Sequence, residues 1–204
     1  MTNGTKAPIE LETSRLLLRQ WKAADREPFA VLNADPIVME YFPAPLTREK
    51  SDAMADHCER LIAERGWGVW ATEVKSTGEF IGFVGLNIPR ADLPISPCVE
   101  VLWRLAHPHW HKGFATEAAR AALYVGFEVV RLPEIVSFTV PSNTRSRAVM
   151  ERLGMQMDPV TFEHPGVPDG HVLRTHCSYR LARDSWIAGR SGEDCCTYRY
   201  GVTA

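Results

Sequence analysis

The chain is 204 residues long, which is enough for one domain with a buried core. Its 23 lysines and arginines nearly balance 25 aspartates and glutamates, so it lacks the basic surplus typical of nucleic-acid-binding proteins. No apolar run approaches the roughly 20 residues that span a bilayer, and no secretory signal opens the sequence. The five cysteines show no CxxC spacing and are expected to be free thiols. We therefore expect a cytoplasmic protein with no nucleic-acid or membrane partner.

The first third of the chain predicts one strand and two helices. Residues 1–8 are polar and are expected to form a flexible N-terminus. Residues 15–19 are a short apolar run between charges, which is typical of a strand. Residues 23–34 predict a short helix, and Thr47 is the expected cap of a longer helix that runs to about Arg65.

After this helix the pattern changes to short β-rich segments around two further helices. The predicted strands cover residues 67–74, 80–86, 98–105, 134–140, 155–162 and 173–181, and the predicted helices cover residues 113–130 and a stretch that ends at Leu153. This order favours an α/β fold with a mixed, largely antiparallel sheet over a doubly wound parallel one. We expect one domain over residues 9–183 and a C-terminal tail over residues 184–204.

The most informative stretch is the strand, turn and helix between residues 99 and 118. The helix begins in the sequence KGFAT (residues 112–116), and a helix N-terminus offers unpaired N–H groups that bind phosphate. Gly113 permits close approach of the backbone to a diphosphate. Neither a Walker loop, GxxxxGK(S/T), nor a dinucleotide fingerprint, GxGxxG, is present. On these residues alone, a well-capped amphipathic helix explains the stretch equally well.

Two motifs in the expected order resemble the GCN5-related N-acetyltransferase (GNAT) superfamily. The sequence WHKGFA (residues 110–115) resembles its acetyl-CoA motif, (Q/R)xxGx(G/A), in the variant that begins with Trp. The sequence NTRSRAVMERLGM (residues 143–155) resembles its second signature, NxxSxxxxxxLGF. Residues 11–19 and 81–86 look like the opening strand and middle hairpin of the branch that contains the ribosomal-protein alanine N-acetyltransferases (RimJ/RimL-like). The resemblance covers roughly residues 9–183.

The resemblance implies a GNAT fold, whose sheet is splayed at the CoA cleft and flanked by about four helices. It also implies an enzyme that transfers an acetyl group from acetyl-CoA, its co-substrate, to an amine. The branch favours a protein N-terminal α-amine as acceptor, although the same scaffold acetylates small-molecule amines. A homodimer is compatible with the branch. The alternative is a CoA-binding sensor or interaction protein that performs no turnover.

The resemblance also assigns cofactor-binding residues. Leu105 would offer its backbone groups to the pantetheine arm, and Asn143 would bind the arm from the other side of the splayed strands. Ser146 matches the position that can protonate the departing thiolate. A tyrosine often serves this purpose seven residues after the asparagine, where this chain has Met150. The diphosphate would be held by the backbone N–H groups of His111, Lys112, Gly113, Phe114, Ala115 and Thr116.

Catalysis requires a base, because an amine attacks a thioester only when it is neutral and a lysine amine has a pKa of about 10.4. Glu100 is the first candidate, since its strand ends at the CoA loop; the alternative is an outward residue paired with an arginine. His164 and His176 are candidates for a second base, or for loop caps. A backbone N–H of Val101 or Leu102 is the expected oxyanion donor.

Two other chemistries are not favoured by the sequence. His107, His109 and His111 alternate, but Pro108 interrupts the run and no acidic or thiol partner is spaced to complete a metal site. We therefore expect no metal. No cysteine lies in the CoA loop, so a covalent acetyl-enzyme is not required, and we expect direct attack within a ternary complex.

Overall fold

The structure is a computed structural model that describes residues 7–89 and 92–189. Its strands are β1 (Leu11–Glu12), β2 (Leu16–Arg19), β3 (Val69–Val74), β4 (Glu79–Asn87), β5 (Glu100–Leu105), β6 (Glu134–Thr139), β7 (Gln156–Met157), β8 (Phe162–Glu163) and β9 (Thr175–Ala182). Its helices are α1 (Arg26–Ala34), α2 (Arg48–Arg65), α3 (Phe114–Tyr124), α4 (Thr144–Arg152) and α5 (Arg183–Gly189). The predicted mixed α/β fold is confirmed.

The sheet runs in the order β1-β2-β3-β4-β5-β6-β9-β7, with β8 paired to β9 beside this path. Every neighbouring pair is antiparallel except β5 and β6. These two are joined at a single register position, Glu100 opposite Val136, where the Val136 N–H donates to the Val99 carbonyl at 2.9 Å. Beyond Glu100 the described parts of the two strands form no further pair, so the sheet opens there.

Helices cover both faces of the sheet. Phe83 of β4 packs edge-on against Phe29 of α1, with ring centroids 5.1 Å apart. Leu86 of the same strand lies close to Gly126, in the helical turn that continues α3. Because side chains three positions apart on a strand point to opposite faces, α1 lies on one face and α3 on the other. Successive residues of β5 therefore face these two helical layers alternately.

Local sequence explains the two helices nearest the opening. α2 begins after Thr47, whose hydroxyl accepts the Lys50 N–H at 3.3 Å, and it ends at Gly66, whose φ of 83° supplies a left-handed cap. α3 buries a stripe of alanines, which lets its axis lie close to the sheet: Ala118, Ala119, Ala121 and Ala122. Its last part, predicted as helix to residue 130, is a π-helical turn over Val125–Val129.

Two predictions about the C-terminal part were wrong. The strand predicted over residues 155–162 is split into β7 and β8, with Pro159, which has no N–H to donate to a ladder, in the interruption. The tail predicted from residue 184 instead begins as α5, and Trp186 is buried against Phe127 at 5.5 Å between ring centroids. α5 is thus a fifth helix where about four were expected. Residues 1–6 of the predicted flexible N-terminus and 190–204 of the predicted tail lie outside the described residues.

Among the described residues, no helix combines the length and the apolar character needed to cross a bilayer.

Candidate functional site

A cavity of about 1600 Å³ lies where β5 and β6 part, and we call it the central cavity. Most of the residues that the sequence singled out line it, namely Glu100, Leu105, His111, Gly113, Phe114, Ala115, Thr116, Asn143, Ser146, His164 and His176. Lys112 is the exception, because it is exposed and does not line the cavity. The fold therefore brings together residues that are up to 76 positions apart in sequence, from Glu100 to His176.

The free edge of β5 faces the opening. The Ala106 N–H donates to the Ile81 carbonyl at 2.9 Å, which makes Gly82 and Leu105 a non-hydrogen-bonded pair of the β4–β5 ladder. The N–H and C=O of Leu105 consequently point away from β4. The carbonyl accepts the indole N–H of Trp110 at 2.7 Å, so the Leu105 N–H is the group left facing the opening.

The same alternation separates the two predicted oxyanion donors. Val101 is also in a non-hydrogen-bonded pair, opposite Leu86, so its N–H points away from β4. Leu102 lies opposite Gly85 in a hydrogen-bonded pair, and its N–H is used within the ladder. The Val101 N–H faces β6 instead, where it completes the parallel bridge between Glu100 and Val136 together with the Val99 carbonyl. Neither predicted oxyanion donor is therefore left facing the opening.

The N-terminus of α3 borders the cavity. His111 and Gly113 have φ values of 60° and 81°, and this left-handed backbone turns the chain sharply into the helix. The first residues of α3 have N–H groups with no intrahelical partner. Arg15, the residue before β2, holds this loop in place: its Nη1 donates to the Lys112 carbonyl at 2.9 Å, and its guanidinium forms an ion pair with Glu117 at 2.6 Å. This end of the cavity can bind an anion through backbone donors.

Glu100 is a buried carboxyl at the point where the strands part. It is 8% exposed, and one of its oxygens accepts a hydrogen bond from the Asn87 side-chain amide at 2.7 Å. Burial raises the pKa of Glu100 to about 7, against the smaller opposing effect of the Asn87 hydrogen bond. Glu100 is thus not an outward residue paired with an arginine. A carboxyl that titrates near neutrality can accept a proton at physiological pH.

α4 presents its N-terminus to the opposite wall. Asn143 caps it: its side-chain oxygen accepts the Ser146 N–H at 3.2 Å and its amide donates to the Thr139 hydroxyl at 3.0 Å. Ser146 lines the cavity and is partly exposed, while Met150 is buried in the wall. Tyr41 also lines the cavity, with its hydroxyl 3.4 Å from the Ser142 carbonyl oxygen.

His164 and His176 form a ring pair in the cavity wall, with centroids 4.9 Å apart. Burial lowers the pKa of both, and for His164 the neighbouring His176 lowers it further. Nδ1 of His176 lies 2.9 Å from the Arg174 carbonyl oxygen, which can only accept, so Nδ1 carries the proton and Nε2 is left as an acceptor. In His164 the roles are reversed, because Nδ1 accepts the Gly166 N–H at 3.1 Å.

Three cavity residues were not singled out by the sequence. Asn87 orients Glu100, Arg145 stacks over Trp110 at 4.8 Å, and Arg104 lies over Phe42 at 4.2 Å. Alternation along β5 places Arg104 on the same face as Glu100, and this signal was available in the sequence. The long-range partners of Arg104 were not.

The cavity fits coenzyme A on three structural grounds. Its volume suits a large elongated ligand, the edge of β5 offers an unpaired N–H to an extended arm, and the N-terminus of α3 offers donors to a diphosphate. Leu105 and the residues of the turn from His111 to Thr116 are the groups that would hold it. When bound, acetyl-CoA supplies the acetyl group as a thioester.

Comparisons with known proteins agree with this geometry. The profile of the acetyltransferase (GNAT) domain matches residues 15–156. The chain is 33% identical over 152 residues to the uncharacterised protein YkkB of Bacillus subtilis, covering 73% of this chain and 86% of that one. It is 29% identical over 191 residues to the FsC-acetyl coenzyme A-N(2)-transacetylase of Aspergillus fumigatus, covering 89% and 80% of the two chains.

Solved structures show the same architecture. An acetyltransferase from Agrobacterium tumefaciens is 29% identical with a TM-score of 0.70, covering 89% of this chain and 98% of that one. Mycobacterium smegmatis RimJ in complex with CoA-disulfide is similar in fold, with a TM-score of 0.62 at 19% identity and coverage of 91% and 94%. The chain belongs to the GNAT family of acetyltransferases, and it is an acetyl-CoA-dependent N-acetyltransferase.

Proposed function

We propose that this enzyme acetylates the α-amine of a protein N-terminus by direct attack within a ternary complex. A similar fold, with a TM-score of 0.68 at 15% identity, is that of RimL, described as a ribosomal L7/L12 alpha-N-protein acetyltransferase. The Aspergillus relative is described as an N(2)-transacetylase, which makes another class of amine the second candidate. An α-amine has a pKa of about 8, so it loses its proton more easily than a lysine side chain.

The observation that carries the proposal is Glu100, a buried carboxyl whose pKa is raised to about 7, beside the opening of the sheet. Glu100 is the general base: it removes the proton from the ammonium form of the acceptor, directly or through a water. Asn87 holds one carboxyl oxygen and leaves the other available. A base whose pKa lies close to the working pH combines a useful ionised fraction with sufficient basicity.

The remaining roles go to groups that face the opening. The Leu105 N–H and the backbone of residues 111–116 hold the pantetheine arm and the diphosphate, and Asn143 fixes the turn that carries Ser146. The Ser146 hydroxyl donates a hydrogen bond to the departing sulfur.

A covalent acetyl-enzyme is disfavoured by the chemistry of Cys58, which lines the cavity. Burial raises the pKa of this thiol to about 12, so it stays protonated at neutral pH and is a poor nucleophile. Attack by the acceptor amine itself needs no such intermediate.

Initial-rate kinetics test the proposal. The rate of thiol release is measured while acetyl-CoA and a panel of amines are varied together, with N-terminal peptides, lysine side-chain peptides and small amines as separate arms. We expect intersecting double-reciprocal lines and the highest kcat/KM for free N-terminal peptides. Parallel lines, or an acetylated enzyme detected by intact mass with acetyl-CoA alone, would contradict direct attack. Higher kcat/KM for small amines would favour the second candidate acceptor.

A further inference from the structure

Arg104 is a cation in the wall of the central cavity whose described surroundings include no carboxylate partner. Its Nη1 donates to the side-chain oxygen of Asn33 at 2.5 Å, and its guanidinium lies 4.2 Å from the ring centroid of Phe42 and 5.2 Å from that of Phe83. Its Nε is buried and, within the described residues, has no acceptor. An arginine has five N–H donors, so this side chain has unused capacity.

Arg19, a buried arginine on the same face of the sheet, is satisfied in a different way. Arg19 forms ion pairs with Asp25 and with Glu73, each at 2.7 Å. Burying a guanidinium without a counter-ion is costly, and native proteins normally supply one. Burial lowers the pKa of Arg104 to about 10, so the group is still charged at neutral pH. Arg19 has its counter-ions within the fold, whereas none of the described residues provides one for Arg104.

The side chains that contact Arg104 are uncharged, namely Asn33, Phe42 and Phe83. We call this region the α2 half of the cavity; it is formed by Phe42, Lys50, Met54, Cys58 and Arg104. Lys50 adds a second cation. The acidic residues that line the described cavity are Glu100 and Glu117, and Glu117 is already bound by Arg15. An anionic ligand group would therefore meet a favourable potential in this half.

We propose that Arg104 binds a carboxylate carried by the acceptor, so that the enzyme selects amines with an acidic group at a distance from the amine. This inference rests on the proposed function and narrows its acceptor. Arg104 and Glu100 lie on the same face of β5, four residues apart, which separates their Cα atoms by roughly 13 Å. An extended acceptor reaches both: its amine lies at Glu100 and its carboxylate forms a bidentate pair with Arg104.

The carboxylate has two chemical sources, which the experiment separates. In one arm, peptides with a free N-terminus carry Glu or Gln at the second, third or fourth residue. In the other arm, ω-amino acids of increasing length are compared with their amides. Wild type, Arg104→Met and Arg104→Lys are assayed, with Arg60→Met as the matched control, because Arg60 is an exposed α2 residue paired with Glu64 outside the cavity. Circular dichroism verifies that each variant is folded.

We expect wild type to favour the acid over its matched amide by at least about tenfold in kcat/KM, as a hydrogen-bonded charge pair normally provides. Arg104→Met should bring this ratio to about one, Arg104→Lys should retain part of it, and the KM for acetyl-CoA should not change. Equal rates for acid and amide with wild type would overturn the inference and leave N-acetylation intact. A ratio that survives Arg104→Met would equally overturn it.

Binding gives a readout without turnover. Wild type saturated with CoA is titrated by calorimetry with the N-acetylated acid and with its amide. Tighter binding of the acid, lost in Arg104→Met, supports the inference. Indistinguishable binding contradicts it. A wild type that transfers acetyl to no amine would instead refute the proposed function, so the two failures are distinguishable.

Discussion

Replacing Glu100 with glutamine should stabilise the protein while it slows catalysis. Glutamine preserves the shape of the side chain and the acceptor for the Asn87 amide, but it removes the ionisable group. The pKa of Glu100 is raised from 4.5 to about 7 in the folded protein. The buried negative charge therefore opposes folding by about 3 kcal/mol at a pH where Glu100 is ionised in both the folded and the unfolded protein.

The raised folded-state pKa determines the sign of the pH dependence. The favourable contribution of protonated Glu100 is fully present below about pH 4.5, and it is lost as the pH rises through about 7. Glu100→Gln should therefore match wild type near the acidic end and exceed its free energy of unfolding by up to about 3 kcal/mol near pH 8. Urea unfolding at several pH values measures this difference. Glu64→Gln, at an exposed site on α2, is the control.

Kinetics complete the test. Loss of a well-placed base lowers kcat/KM by roughly 10²–10⁴-fold, with acetyl-CoA binding unchanged. In wild type, kcat/KM should rise with pH through an apparent pKa near 7 if Glu100 is the base, and through one below 6.5 if His176 is. The reasoning is refuted if Glu100→Gln has the same stability difference from wild type at both ends of the pH range, or if it retains full activity.

Three further predictions concern the rest of the cavity. Gly113→Trp should abolish acetyl-CoA binding, measured by calorimetry. The control is Gly78→Trp, at a positive φ in the β3–β4 turn with open space around it, which should bind acetyl-CoA normally. Equal affinities of the two variants would exclude the α3 N-terminus as the diphosphate site. Ser146→Ala should lower kcat by about tenfold or less, since one hydrogen bond is lost. Tyr41→Phe should change kcat little. A larger loss of kcat in Tyr41→Phe than in Ser146→Ala would make Tyr41 the proton donor. Cys58→Ala should keep acetyl transfer, and its loss in a folded variant would reopen the covalent route.

Local signals explain why much of the fold could be predicted. The helix from Thr47 to Arg65 was predicted with its N-terminal cap and its end, because a hydroxyl cap and a following glycine act on their own neighbours. Strands β3 and β4 were also predicted, because each is a short β-rich run in the local sequence. α5 was not, because it is a short helix whose position depends on Trp186 packing against a residue far away in sequence. Burial of one aromatic ring leaves no periodic pattern to detect.

The residues of the site also divide into those that local sequence predicts and those whose role depends on long-range contacts. Glu100 was chosen because its strand leads into the α3 turn, and that relation is local. The environment of Arg104 depends on Asn33 and Phe42, more than 60 residues earlier, so only the folded chain reveals that its described neighbours provide no counter-ion. Lys112 was included because it lies within the motif, but the loop carries its side chain away from the cavity. Sequence patterns thus located the site, and tertiary contacts determine which side chains face it.

The most direct test of the central claim is to incubate wild type with acetyl-CoA and the amine panel while measuring free thiol release and the mass of each acceptor. The account predicts that thiol appears only when both substrates are present and that the acceptor gains one acetyl group for each thiol released. Saturable binding of acetyl-CoA without thiol release for any amine would contradict it and would identify a CoA-binding protein without turnover.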